Sequence, residues 1–153
     1  MQDARQGRGL KGLLCSWNML SSRDMPRLIT ALGDAARARL APLMRFTLPG
    51  MPLINCGEEI GMQGGADPDC RRAMRRDEAD WNHDQRAWVT SLIAIRQCNP
   101  ALQYGEIAVL GDRLDGNAPD FLRETTVTTV LREEALVIVN LADEPLDVRS
   151  MPG

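Results

Sequence analysis

The sequence predicts an α/β fold made of two consecutive strand–loop–helix units, followed by a set of antiparallel strands. Leu13–Leu20 and Leu53–Cys56 are short apolar runs that each end in polar residues, which is typical of buried strands. Each run is followed by apolar residues at helical spacing. After Pro100 the pattern changes to runs of β-branched residues, which favour strands over helices.

The first unit is a strand over Leu13–Leu20, a polar loop that includes Asp24, and a helical region over Arg27–Thr47. The apolar residues of that region recur at intervals of three and four, as on one face of a helix. Gly33 should interrupt the helix early. Pro42 should start or kink a helix rather than lie in its middle, because proline lacks the backbone N–H donor.

The second unit begins with a turn over residues 49–52, followed by the strand Leu53–Cys56. The loop from Gly57 to His83 is rich in glycine and charge and is long for a compact domain, so we expect it to be functional. Asp84 is predicted to cap a helix whose apolar residues follow at helical spacing, and Asn99–Pro100 should end it.

The part of the chain after Pro100 is predicted to form antiparallel strands. A hairpin turn is expected over Arg132–Ala135, and a last strand over Leu146–Val148. The change of pattern divides the chain into residues 1–100 and residues 101–153. The other predicted strands are Ile107–Leu110, Phe121–Arg123, Thr125–Arg132 and Ala135–Asn140.

Composition excludes several classes of function. A chain of 153 residues with 44% hydrophobic and 25% charged residues is ordinary for a soluble globular protein. The net charge of −3 gives no electrostatic reason to expect nucleic acid as a partner. One local group of arginines is interleaved with aspartates and a glutamate, which indicates a solvated, internally paired loop rather than a phosphate-binding patch. These arginines are Arg71, Arg72, Arg75 and Arg76.

The sequence indicates no cofactor, no metal site and no membrane segment. The four cysteines are too far apart for a Cys-x-x-Cys site, and His83 is the only histidine that could join them. Without a secretion signal, these cysteines are predicted to be reduced thiols in a cytoplasmic protein. No apolar run approaches the roughly 20 residues needed to cross a bilayer. The cysteines are Cys15, Cys56, Cys70 and Cys98.

Two stretches of the sequence carry a resemblance to a known family. NMLSSRDMPR, residues 18–27, resembles the seventh-strand motif of glycoside hydrolase family 13, the α-amylase family, whose pattern is Asn-apolar-apolar-x-Ser/Asn-His-Asp-x-x-Arg. LPGMPLINCGEEIGMQGGADPDCRRAM, residues 48–74, resembles the eighth strand and its loop. The second stretch is most similar to the cyclomaltodextrinase, neopullulanase and maltogenic amylase branch of that family.

The resemblance implies that residues 1–100 form the last two βα units of a (β/α)₈ barrel, the TIM barrel, whose active site lies at the carboxyl ends of the strands. Residues 101–153 would begin the C-terminal β-sandwich domain, as a truncated antiparallel β-domain. Asp24 matches the carboxylate that stabilises the transition state. Arg23 replaces the family histidine that contacts the sugar, and we expect it to pair with Asp24 and crowd the sugar site.

The resemblance also implies roles for residues of the eighth-strand loop. Asp67 and Arg71 match a pair that contacts glucose units of an α-glucan, and a carboxylate beside a forked guanidinium suits vicinal hydroxyls. The alternative is an ordinary surface ion pair at i, i+4 spacing. Arg27 and Glu59 are predicted to form a structural pair.

The family's nucleophile and general acid lie on the fourth and fifth strands, and the sequence begins just before the seventh. A retaining glycosidase needs both groups. Three interpretations stay open: a fragment of an α-glucan hydrolase that is inactive alone, a non-catalytic glucan-binding or oligomerising module, and an enzyme completed by another polypeptide. The expected ligands are α-glucans of the maltodextrin or cyclodextrin type. The expected protein partner is the rest of the barrel or a second copy of the chain.

Overall fold

The fold is taken from a computed structural model that describes residues 9–109, 127–132 and 135–140. The first half of the chain follows the predicted alternation of strands and helices. Its elements in order are helix α1 (Gly9–Leu14), strand β1 (Trp17–Met19), helix α2 (Leu28–Leu32), helix α3 (Ala35–Thr47) and strand β2 (Met51–Leu53). The predicted first strand is therefore shorter than expected, because α1 occupies its first residues.

Strands β1 and β2 pair in parallel, with Trp17 opposite Met51 and Met19 opposite Leu53. Helices α2 and α3 lie between them in the sequence and form the crossover that a parallel pair requires. The two strands therefore end at the same edge of the sheet, and the loops that follow them start side by side. This arrangement is the predicted pair of βα units.

The break between α2 and α3 confirms the predicted interruption at Gly33. This glycine has φ of +64°, a left-handed conformation that other residues adopt only at a cost, and its N–H donates to Ile29. Asp34 then caps α3, because its carboxylate accepts from the N–H groups of Ala36 and Arg37 at 2.6 and 3.2 Å.

Two predictions that involve proline were wrong. Pro42 lies inside α3, where its buried ring lines the apolar space between α3 and α4 beside Phe46 and Val89. Packing of the Pro42 ring against these side chains offsets the hydrogen bond that proline cannot donate.

Strand β2 includes Pro52 and starts two residues earlier than predicted. Met51 donates its N–H to the Ser16 carbonyl at 2.7 Å. The next residue, Pro52, has its backbone nitrogen on the side away from β1, so no hydrogen bond of the β1–β2 ladder is lost.

The second long helix, α4 (His83–Cys98), is followed by the short helix α5 (Pro100–Tyr104). The residue that caps α4 is Asn82, whose side chain accepts from the N–H of Gln85 at 2.9 Å, and the predicted cap Asp84 lies in the first turn instead. The predicted end of the helix at Asn99–Pro100 is confirmed.

The core lies between α3 and α4. Phe46 of α3 packs with Val89 and Leu92 of α4, and Leu43 and Ile54 pack against this group. Burial of such aliphatic and aromatic side chains stabilises the fold by about 1.5–3 kcal/mol for each side chain. Ile54 directly follows β2, so this packing joins α3 and α4 to the end of that strand.

Arg96 fixes the turn between α3 and β2. Its guanidinium donates to the carbonyl oxygens of Phe46 at 2.7 Å, Leu48 at 3.2 Å and Gly50 at 2.6 Å. These carbonyls belong to the end of α3 and the following turn, so they have no helical partner of their own. Burial of the Arg96 guanidinium lowers its pKa.

The rest of the described chain is an antiparallel sheet. Strand β3 (Ile107–Val109) pairs with β4 (Val127–Arg132), and β4 pairs with β5 (Ala135–Asn140). This confirms the hairpin of the last two strands and the position of β3. The predicted strands Phe121–Arg123 and Leu146–Val148 lie outside the described residues. The division at residue 100 stays a prediction.

Candidate functional site

The candidate site is formed by the loops that follow β1 and β2. We name them the first loop (residues 20–27) and the second loop (residues 54–82). Because β1 and β2 are parallel neighbours, their carboxyl ends meet at one sheet edge and the two loops contact each other there. The second loop contains three short 3₁₀ turns, Glu58–Ile60, Asp69–Arg71 and Glu78–Asp80, but no α-helix.

Two of the predicted site residues, Asp24 and Asp67, converge on the guanidinium of a third, Arg71. Arg71 Nη2 lies 2.8 Å from Asp24 Oδ1, and Arg71 Nε lies 2.9 Å from Asp67 Oδ1. The three side chains are 40%, 71% and 52% exposed, in the order Arg71, Asp24, Asp67. The i, i+4 pair predicted as the alternative is therefore present, and Arg71 also bridges to the first loop. The result is an open cluster of charged hydrogen-bonding groups at the surface.

The predicted pairing of Arg23 with Asp24 was wrong. Asp24 takes its ion pair from Arg71, and the Arg23 side chain is exposed. The contact that Arg23 does make is through its backbone, because its carbonyl oxygen accepts from the thiol of Cys70 at 3.2 Å. Adjacent side chains in a bend point in different directions, and Arg71 reaches Asp24 from the opposite loop.

The predicted pair of Arg27 and Glu59 was also wrong. Arg27 is buried, and its guanidinium donates to the backbone carbonyl oxygens of Cys56 and, at 3.2 Å, Arg72. Glu59 accepts from the backbone N–H of Gly57 at 2.9 Å instead. The Arg27 side chain therefore links the start of the second loop to a point further along it by bonding to backbone carbonyl oxygens, a role that its charge alone does not reveal in the sequence.

The sequence reasoning missed a buried ion pair below the exposed cluster. Arg45 Nη1 lies 2.7 Å from Glu58 Oε2, with side chains only 2% and 7% exposed. Glu58 also accepts from the hydroxyl of Ser21 and from the N–H of Asn55 at 3.3 Å. The available signal was an isolated arginine on the apolar side of α3, which must find a buried counter-charge.

The tip of the second loop is held by its own hydrogen bonds. Asp69 accepts from the N–H of Gly65 at 2.6 Å and pairs with Arg72 at 2.5 Å. The hydrogen bond from Gly65, followed by the interactions with Arg72, keeps the pKa of Asp69 below its ordinary value although desolvation acts in the opposite direction. Gly64 donates to the hydroxyl of Thr30 at 3.0 Å, which attaches the tip to α2.

The described residues give no indication of a metal centre, since no three histidine, cysteine or carboxylate side chains among them form a group that could hold an ion. No helix in the described part of the chain is long and apolar enough to cross a membrane. The described side chains at the site present carboxylates and guanidinium groups beside backbone amides. Such groups bind the hydroxyls of sugars well.

Comparison with known proteins identifies the family. The model of the α-amylase catalytic domain matches residues 9–105, which include both site loops. The chain belongs to the α-amylase family. Among the α-amylase relatives, a cyclomaltodextrinase from a Bacillus species is 38% identical over 116 residues, which are 75% of this chain and 21% of that enzyme. Neopullulanase 2 from Thermoactinomyces vulgaris is 41% identical over 92 residues, 60% of this chain and 16% of that enzyme.

Solved structures of α-amylase relatives match the fold as well. The cyclic α-maltosyl-(1→6)-maltose hydrolase from Arthrobacter globiformis, in complex with maltose, superposes with a TM-score of 0.77 at 28% identity. That match covers 99% of this chain and 33% of the hydrolase. The parallel βα units therefore correspond to part of the barrel of these enzymes. The chain spans about a fifth of the length of the cyclomaltodextrinases that it matches.

Proposed function

We propose that this chain forms one wall of the sugar-binding site of an α-glucan hydrolase of the cyclomaltodextrinase type. The observation that carries the proposal is the convergence of Asp24, Asp67 and Arg71 at the mouth of the two loops. Both carboxylates and the guanidinium are exposed, so they can exchange their mutual contacts for the vicinal hydroxyls of glucose units. Asp24 takes the position of the family's transition-state stabiliser, and Asp67 and Arg71 contact the glucan.

The names of the relatives support an α-glucan as the ligand. The relatives include cyclomaltodextrinases and a neopullulanase, and the Arthrobacter hydrolase is a complex with maltose. We therefore propose ligands of the maltodextrin or cyclodextrin type. Asn55 and Cys56 have no aromatic ring, so these two positions of the second loop offer no surface on which a sugar can stack. Binding to the chain alone is accordingly expected to be weak.

We propose that this chain alone binds glucan without hydrolysing it. A retaining glycosidase needs a carboxylate nucleophile and a carboxylic acid about 5–5.5 Å apart. In the described part of the chain, the two carboxylates of the cluster are both bonded to Arg71, so neither is placed as the proton donor. Hydrolysis would then require carboxylates from the fourth and fifth strands of a complete barrel.

The sheet face next to the site supports a polypeptide partner. Trp17 and Met51 are paired across β1 and β2 and are 69% and 58% exposed, and Met19 is 49% exposed. A sheet face with such large apolar side chains is normally covered. We propose that the remaining strands of the barrel, or a second copy of the chain, cover it.

Titration calorimetry with a linear maltodextrin at millimolar concentration tests glucan binding. The parent chain should release or absorb heat with a saturable curve, and Asp67→Ala should raise Kd about tenfold, because a charge-assisted hydrogen bond of roughly 1.5–3 kcal/mol is lost. Asp84→Ala is the matched control, since Asp84 is exposed on α4 away from the cluster and should leave Kd unchanged. Absence of heat with the parent chain would refute the proposal.

A chromogenic maltooligosaccharide tests the proposed absence of hydrolysis. The parent chain should give no turnover above the Asp24→Ala variant. Co-expression with a polypeptide that supplies the first six barrel strands should restore turnover, and Asp24→Ala should abolish it. Turnover by the parent chain alone that Asp24→Ala removes would show instead that its own carboxylates suffice.

A further inference from the structure

Four consecutive residues of the first loop each contact a different residue of the second loop. The first and last of these contacts use the loop's side chains, and the two between them use its backbone carbonyl oxygens. The contacts are Ser21 Oγ to Glu58, Asn55 Nδ2 to the Ser22 carbonyl at 3.2 Å, Cys70 Sγ to the Arg23 carbonyl at 3.2 Å, and Arg71 Nη2 to Asp24 at 2.8 Å.

The contacts range from buried to exposed along the loop. Ser21 is 2% exposed and Cys70 is 1% exposed, whereas Asp24 and Arg71 lie at the surface. A buried hydrogen bond in a low-dielectric environment resists water better than an exposed one. The deep end at Ser21 is therefore the part of this series that can fix the loop.

Glu58 is the residue that joins the deep end to the rest of the molecule. Its carboxylate accepts from Ser21 at the end of β1, from Arg45 on α3, and from the backbone of Asn55 at the end of β2. One carboxylate therefore connects three separate elements within the buried layer. Arg45 holds this carboxylate in place, because it lies 2.7 Å away and is itself buried.

We propose that Glu58, acting through the Ser21 hydroxyl, is the positioning residue that holds the first loop in register with the second. In this register Asp24, which lies three residues after Ser21, reaches Arg71 of the second loop. The effect on glucan binding rests on the proposed function, whereas the effect on loop position does not. Loss of the Ser21–Glu58 bond is expected to let the first loop open locally while the Arg45–Glu58 pair stays intact.

The informative variant is Ser21→Ala rather than a change of Glu58. Ser21→Ala removes the hydroxyl that reaches Glu58 and leaves Arg45 with its counter-charge, so the chain should still fold. Ser22→Ala is the matched control. In the described structure Ser22 contacts the second loop through its backbone carbonyl, which this substitution keeps.

Cys70 supplies a direct readout of loop position that needs no sugar. Its thiol is buried beneath the first loop, where it donates to Arg23, so a thiol reagent reaches it only when the loops separate. Cys15, Cys56 and Cys98 are exposed and would react first, so all three are replaced by serine. In that background, Ser21→Ala should raise the labelling rate of Cys70 about tenfold, and Ser22→Ala should change it less than about twofold, since a hydrogen bond contributes roughly 1–1.5 kcal/mol.

The urea dependence of labelling separates positioning from a general loss of stability. Local opening exposes little surface, so the faster labelling of Ser21→Ala should be nearly independent of low urea concentrations. Labelling that follows the slope of global unfolding would overturn the proposal, as would equal rates for Ser21→Ala and Ser22→Ala. Either outcome would mean that Ser21 contributes only to overall stability or not at all.

A second measurement connects the loop to the ligand. If the parent chain binds maltodextrin, Ser21→Ala should raise Kd by a factor of about three to ten, because part of the binding free energy is spent on closing the loop. If the parent chain binds no maltodextrin, the proposed function fails while the labelling experiment still decides the positioning role. Unchanged Kd together with faster labelling would overturn the link between loop position and binding.

Discussion

Two arginine–carboxylate clusters connect the same two loops, and they differ in burial. Arg45 and Glu58 lie in the interior and join α3 to the bases of the loops, whereas Arg71 joins Asp24 and Asp67 at the surface. The distances are nearly equal, between 2.7 and 2.9 Å. Ion pairs of nearly equal length therefore contribute differently to stability, because water competes for the charges of the surface cluster but not for those of the buried pair.

The difference separates two tasks within one site. A buried charge that loses its partner has no solvent to replace it, so Arg45 anchors Glu58, and Glu58 in turn holds Ser21 of the first loop. An exposed cluster contributes little to stability, and its groups are free to bind a ligand.

Glu58→Gln should lower the free energy of unfolding by about 3–5 kcal/mol, because Arg45 would be left buried without a counter-charge. Urea denaturation measures this change. Among the described residues, Nε and Nη2 of Arg45 have no hydrogen-bond partner, so little else compensates for the loss. A decrease below about 1 kcal/mol would contradict the assignment of a structural role to this pair.

Arg71→Ala should lower the free energy of unfolding by less than about 1 kcal/mol, since its two ion pairs are exposed. The same variant should weaken maltodextrin binding at least as strongly as Asp67→Ala. Arg75→Ala, another exposed arginine of the second loop, serves as the control for both measurements. A loss of stability as large as that of Glu58→Gln would remove the distinction between the two clusters.

The smallest effect concerns the pH dependence of stability. The pKa of Asp69 in the folded chain lies below its ordinary value of 3.8, so its ionised form stabilises the fold above that pH. This contribution is lost as the pH falls below 3.8 and through the lower folded pKa. Unfolding measured from pH 5 to pH 2.5 should therefore show a shallower acid decline for Asp69→Asn than for the parent chain, and identical slopes would contradict the shift.

The sequence predicted the elements well where one local rule applied. Gly33 marked the break between α2 and α3, because a left-handed residue ends a helix whatever surrounds it. Pro42 misled, because packing against α4 outweighs a missing hydrogen bond. Pro52 misled for a related reason, since a strand at a sheet edge tolerates proline on alternate residues.

The site was predictable in its members but not in all of its pairings. The resemblance assigned Asp24, Asp67 and Arg71 to sugar contacts, and the structure pairs Arg71 with both carboxylates. The predicted partners of Arg23 and Arg27 were wrong, because the partner that a side chain reaches depends on the path of the backbone through the two loops. Pairs such as Arg45 and Glu58, 13 residues apart on different elements, require the tertiary structure.

The contacts of Arg96 have a consequence for synthesis of the chain on the ribosome. The turn after α3 is completed by a side chain that lies 46 to 50 positions later in the sequence. The carbonyl oxygens of Phe46 and Gly50 must therefore remain hydrated until most of α4 has been translated and has docked. The first βα unit and the helix of the second are thus expected to mature together rather than in order of their emergence.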